Sequence, residues 1–147
     1  PFPKANSIIN PKKDNGYIKY DYMCATSLTY FFLDLLIDKL NIKINFILEN
    51  FMIYVLLATV CDVMPLRFLN RLIAIKTLNK FQLNNVTPIK KIYEILDKKN
   101  RISIDDLGYL IGPILNSGGR LSKSNYATEL LSTNNEKNMD SIINKLI

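Results

Sequence analysis

The longest apolar run in the chain, Phe51 to Cys61, covers about 11 residues. A membrane span needs roughly 20, so this run is too short to cross a bilayer and reads as a buried helix. Extended back to Phe46, the segment is apolar nearly all round, as a central helix packed on every side would be. It ends at Asp62, and Pro65 closes it. The 147 residues suffice for one domain with a core, and 48% hydrophobic with 22% charged residues is a globular balance that argues against disorder.

Helical periodicity continues on both sides. Leu28, Phe31, Phe32, Leu35, Leu36 and Leu40 share one face. Phe68, Leu69, Leu72, Ile73 and Leu78 mark a further helix, and Pro88 opens a short one carrying Ile89, Ile92, Tyr93 and Leu96. Ser103 is placed as an N-cap, with Asp105 and Asp106 in the first turn of a helix whose face is Leu107, Leu110, Ile111, Ile114 and Leu115. Pro113 should kink or interrupt that helix, and Gly118-Gly119 should end it. Two last helices carry Ala127, Leu130 and Leu131, then Met139, Ile142, Ile143 and Leu146. Only residues 5–10, stopped by Pro11, are β-capable. The chain is therefore expected to be mostly α, with one or two short strands at its start. It opens on Pro1 and ends at Ile147 inside a helical pattern, so both ends read as cut.

Composition removes several chemistries. There is no His, which excludes a Ser-His triad, an HExxH zinc site and any His-ligated metal within these residues. Cys24 and Cys61 have no CxxC or metal spacing and read as buried free thiols in a reducing cytosol. The polar start has no signal-peptide apolar region, and no membrane partner is expected. The net charge of +6 suits a polyanionic partner such as nucleic acid, although a chain rich in Asn, Ile and Lys gains Lys without any such function.

A few residues stand out chemically. Asp62 ends an apolar run, and burying a lone carboxylate costs several kcal/mol unless it is paired or bound to metal. The alternative is a helix-end residue facing water. Gly118-Gly119 allows close backbone approach, and Arg120 beside Asn116 could hold phosphate oxygens. Equally, Arg120 could pair with a local acid. Asn70 and Arg71 are either supports of the Asp62 loop or a helix-start residue and a surface Arg. Asp14 is matched by a solvated turn reading, and Tyr30-Phe31-Phe32 reads as core rather than as a base-stacking platform.

Three patterns in order then resemble the RecJ family of the DHH phosphoesterase superfamily. Ala5-Asn6-Ser7-Ile8-Ile9-Asn10-Pro11-Lys12-Lys13-Asp14 looks like the stretch AIINPKRxD that follows the family's Asp-His-His motif. Leu57-Ala58-Thr59-Val60-Cys61-Asp62-Val63-Met64-Pro65-Leu66, followed by Asn70-Arg71, looks like ALGTVADVVPL…NR. Asp106-Leu107-Gly108-Tyr109 and Gly112-Pro113-Ile114-Leu115-Asn116-Ser117-Gly118-Gly119-Arg120-Leu121 is similar to LGFxxGPRLNAxGRL, and Leu130-Leu131-Ser132-Thr133 also fits. Two departures stand out. Ile114 replaces a family Arg, and Met23 to Thr29 lacks a glycine, so that Ala25 and Ser27 keep the segment small while Thr26 and Thr29 enlarge it.

The resemblance implies an α/β parent domain with a parallel sheet. Residues 1–86 would be the latter part of its DHH catalytic domain and 87–147 a helical remainder leading to the connecting helix, with the DHHA1 domain absent. It implies a metal-dependent exonuclease on single-stranded DNA, acting 5′ to 3′ in DNA repair and recombination, with Mn²⁺ or Mg²⁺. It makes Asp62 a metal ligand, Arg120 and Asn116 phosphate-binding residues, and Asn70, Arg71 and Asp14 site supports. The other ligands would precede Pro1, so these residues alone are expected to be inactive. The alternatives are a non-catalytic helical module completing a separately encoded N-terminal half, or another DHH-type phosphoesterase.

Overall fold

The computed structural model describes residues 3–13, 19–81, 87–120 and 125–147, with the side chains of Thr87 and Arg120 outside that description. Eight α-helices are labelled here: α1 Ala25–Leu40, α2 Met52–Cys61, α3 Phe68–Lys80, α4 Thr87–Ile95, α5 Ile104–Asp106, α6 Gly112–Arg120, α7 Tyr126–Ser132 and α8 Glu136–Leu146. A 3₁₀ turn, Leu48–Phe51, leads into α2, and a π-helical segment, Leu107–Ile111, joins α5 to α6. No strand occurs among the described residues. The expected strand at 5–10 is thus corrected: a strand needs a neighbour to receive its backbone bonds, and here the segment runs exposed, with Ile9 at 62% exposure.

Helix α2 is the centre. Ile53, Val55, Leu56, Leu57 and Thr59 are buried, and α1, α3 and the π segment all pack on it. It begins at Met52 rather than Phe46, because Phe46 and Ile47 lie exposed ahead of the 3₁₀ turn. The same core continues into α4, α7 and α8 through Ile89, Ile92, Tyr93, Leu130, Met139, Ile142 and Ile143. Lys91 of α4 reaches Glu136 at 3.1 Å and Asp140 at 3.7 Å on α8. The Ser117 hydroxyl lies 2.7 Å from the carbonyl oxygens of both Ile114 and Leu146, so it can cap the end of α8.

The outer helices differ from their sequence pattern. In α1 only Ser27 is buried, while Phe32, Leu33, Leu35 and Leu40 are largely exposed. In α3 the buried stripe is Asn70, Ile73, Ala74 and Thr77, and Phe68 and Leu72 face water. That stripe is half polar; of the expected apolar face Ile73 is buried and Leu69 and Leu78 pack against the core, while Phe68 and Leu72 do not. Thr26 and Thr29 do not crowd α2, because both are exposed; Cys24 and Ser27 are buried instead, with Cys24 Sγ 3.6 Å from Thr59 Oγ1 of α2. Of the two thiols, Cys24 is buried and Cys61 exposed. The candidate core was therefore half right for the cysteines.

Around Pro113 the α-helix is interrupted, as expected, by the π segment Leu107–Ile111, but the helical run does not stop there. A proline cannot donate a backbone bond and its ring crowds the carbonyl four residues back. The preceding π turn, closed by the Gly112 N–H to the Leu107 carbonyl, widens the helix at that point and accommodates the ring. Nor do Gly118 and Gly119 end α6, which runs on through them to Arg120. Ser103 does cap α5. Asp106 N–H donates to Ser103 Oγ at 3.1 Å, and Ser103 N–H donates to Asp106 Oδ2 at 2.9 Å, a reciprocal capping box.

Burial alone would push the Asp106 carboxyl up, but the bonds from Ser103 and the nearby Lys98 ammonium outweigh it and hold the group below the usual carboxylate range. A depressed folded-state pKa means stability that is present above the unfolded value of about 3.9 and is lost as pH falls through the lower folded value. Asp106→Asn should therefore cost about 1 kcal/mol near neutral pH. In thermal melts its deficit against wild type should shrink as the pH is taken below about 4. A deficit of the same size at strongly acid pH would contradict this assignment.

Candidate functional site

Three helices in the chain end the same way, and the difference among them marks the site. At the end of α2 the Val63 N–H donates to the Val60 carbonyl and the Met64 N–H to the Thr59 carbonyl, the paired bonds of a Schellman motif. The same pair closes α1 at Asn41 and follows α4 at Asp97. All three turning residues are left-handed, with φ of 49° at Asn41, 54° at Val63 and 49° at Asp97. Asn and Asp tolerate that conformation, whereas a β-branched residue is strained in it. The strained member stands directly after Asp62.

Asp62 is the C-cap of α2 and is exposed. Its position at the end of an apolar helix agrees with the sequence reading, and its carboxylate faces water. A helix C-terminus carries partial negative charge, and the last turn of α2 holds no basic residue. The carboxylate therefore adds like charge to like, an arrangement that favours a cation.

What brings Asp62 to a second motif is a pair of glycines. A Cβ added to Gly108 would lie 3.1 Å from Val60 Cγ1, and one added to Gly112 would lie 2.7 Å from Cys61 Sγ and 2.9 Å from the Leu107 carbonyl oxygen. At Gly112 a side chain would force a shift, and at Gly108 it would press tightly on Val60, so the two glycines let the π segment and the start of α6 lie against the last turn of α2. The result is an open cleft of about 970 Å³ lined by both Asp62 and Asn116, with Tyr54, Leu57 and Ala58 among its less polar walls. Thr26, Thr128 and Ser132 add hydroxyls. Burial pushes the Tyr54 phenol up to about 12, so it stays a hydrogen-bond donor at neutral pH. Although Cys61 as a residue is exposed, partial desolvation of its sulfur, reinforced by the Asp62 charge, pushes the thiol up and favours its protonated form.

The remaining expected residues fall in different places. Asn70 is fully buried on α3 and its Nδ2 donates to the carbonyls of Tyr22 at 2.7 Å and Pro65 at 3.1 Å. It ties the loop after Asp62 to the segment before α1. Arg71 is exposed on the next position of α3. Arg120 is the last residue of α6, and its side chain lies outside the described residues, as does Asp14 altogether. Tyr30 and Phe31 are half-buried against the core, and Phe32 is exposed. Sequence reasoning missed the packing role of Gly108 and Gly112; their four-residue spacing on one helix face was the available signal. It also missed the left-handed Val63, which no local pattern announces.

No protein-family model matches the chain. The curated proteins that resemble it are exonucleases specific for single-stranded DNA. They are RecJ proteins: that of Escherichia coli (strain K12) is 27% identical over 144 residues, covering 90% of this chain and 25% of that protein. RecJ of Salmonella typhimurium is 35% identical over 83 residues, covering 55% of this chain and 14% of the relative. RecJ of Dickeya dadantii is 34% identical over 82 residues, 54% of this chain and 14% of the relative. The chain is thus RecJ-like in sequence and spans about a quarter of the length of the E. coli protein.

The glycine contact is directly testable by thermal melts. Gly112→Ala should destabilise by about 1–3 kcal/mol through overpacking against Cys61 and the Leu107 carbonyl. Gly119→Ala, with nothing within 4 Å of the added Cβ, should instead stabilise α6 by about 0.5–1 kcal/mol. Equal responses at the two sites would contradict the close approach described here.

Proposed function

We propose that this chain is the part of a single-stranded-DNA exonuclease that supplies one carboxylate and one face of the phosphodiester-binding cleft. The observation that carries the reading is the meeting of Asp62 and Asn116 on one cleft, from two motifs far apart in a RecJ-like sequence. In this reading Asp62 provides a hard oxygen donor for Mn²⁺ or Mg²⁺, the ion that would activate water and neutralise phosphate charge. Asn116 offers an amide to a phosphate oxygen, with Arg120 following it at the end of the same helix. Asn70 keeps the Asp62 loop in place. The reaction would be 5′-to-3′ hydrolysis in DNA repair and recombination, in a cytoplasmic setting. The division after residue 86 belongs to the same proposal.

The described residues do not make a metal site by themselves. No group of three or more His, Cys, Asp or Glu gathers among them, and Asp62 is a single ligand. Further donors must come from elsewhere, so no catalytic step is assigned to this chain alone. A second reading, a helical module that completes a separately encoded N-terminal half, draws on one observation: the exposed apolar side chains of α1 and of residues 42–51. Another DHH-type phosphoesterase is less well supported, because the relatives found are RecJ exonucleases.

Purified chain incubated with end-labelled single-stranded DNA and Mn²⁺ should leave the DNA intact. Digestion that survives both stringent purification and Asp62→Ala would overturn the shortage of ligands on which this reading rests.

A further inference from the structure

Between α2 and α3 the chain presents a small shelf, built on buried Tyr22, that lies outside the cleft. The Arg67 guanidinium lies 5.5 Å from the Tyr22 ring and 5.8 Å from the Phe68 ring, and the two ring centroids are 5.7 Å apart. Asp21 holds the guanidinium at 3.1 Å. Beneath, buried Asn70 bonds the Tyr22 and Pro65 carbonyls, so both strands of the shelf are fixed to each other. Tyr22 is buried, and Phe68 is 71% exposed. Phe68 also has φ 45°. A bulky residue in that left-handed conformation is strained, and a ring facing water gains nothing from burial. Arg71 is exposed three residues further along α3, on the neighbouring helical position.

We propose that Phe68, tilted against Tyr22 with the Arg67 guanidinium over both rings and flanked by Arg71, is a base-stacking shelf for single-stranded DNA. The proposal rests on the single-strand reading above and adds residues that discriminate strand type. A single strand exposes the flat faces of its bases, which stack on aromatic rings and on guanidinium planes, while its phosphates attract the neighbouring arginine. A duplex hides those faces, so a presented ring favours unpaired strands. Two guanidiniums against the one carboxylate of Asp21 leave the patch cationic, as phosphate contact requires. Fixing the ring in place beforehand removes the cost of ordering it on binding.

Binding of a fluorescein-labelled oligothymidylate to the full chain, followed by anisotropy across a salt series, tests this. Phe68→Ala should weaken binding about five- to hundredfold without changing the salt slope. Phe68→Leu, which keeps an apolar side chain, should weaken it too. Arg71→Gln should lower the slope of log K against log salt by about 0.7, the value for one phosphate contact on a single strand. Circular dichroism melts check that each variant folds. Phe68→Ala binding as tightly as wild type would overturn the shelf and leave the cleft reading standing. A wild-type chain that binds no oligothymidylate would overturn both.

Discussion

The close contact between the end of α2 and the glycine-bearing helix across it holds the molecule's chemistry together. Helix α2 is buried along most of its length, so the place where it surfaces is set by the core. Gly108 and Gly112 allow a second helix to lie against that point, and the π turn before Pro113 lets that helix continue. Without this approach Asp62 and Asn116 would belong to separate surfaces. With it, residues from two distant stretches line one cleft.

Strain is concentrated at the same place. Val63 and Phe68 bracket the loop after Asp62, and both take left-handed φ values that other helix ends in this chain reserve for Asn and Asp. Both are also largely exposed. Residues held against their conformational preference persist where the surroundings over-determine them. Here the surroundings are identifiable: the Schellman bonds behind Val63, the Asn70 amide under the loop, and the Arg67–Asp21 pair at its end. The loop is thus tethered at its start, underneath and at its end.

Much of this was legible in the sequence, and the failures have physical causes. The central helix, the Ser103 cap and the final two helices follow from apolar periodicity and cap chemistry, which are local. The strand at 5–10 was not legible, because strand formation depends on a partner and propensity alone does not supply one. The buried face of α3 was legible only in part: Ile73, Leu69 and Leu78 meet the core as expected, but its buried stripe also includes Asn70 and Thr77, polar residues that periodicity counts discard. Asp62 was singled out because it ends an apolar run; whether it was buried or faced water stayed open, since a sequence does not show where a buried helix emerges. The glycine contact required knowing which helices cross.

The similarity to RecJ exonucleases covers about a quarter of the E. coli protein, and among the described residues no three His, Cys, Asp or Glu side chains gather. The central claim is that this chain provides a working part of the exonuclease chemistry. It can be measured by removing the matched stretch from a RecJ relative, adding this chain in trans, and following digestion of single-stranded DNA with Mn²⁺. The account predicts that the wild-type chain restores digestion and that Asp62→Ala, folded to the same degree by circular dichroism, does not. Restoration by both chains alike would contradict the role given to Asp62, and restoration by neither would contradict the claim that this chain supplies part of the nuclease.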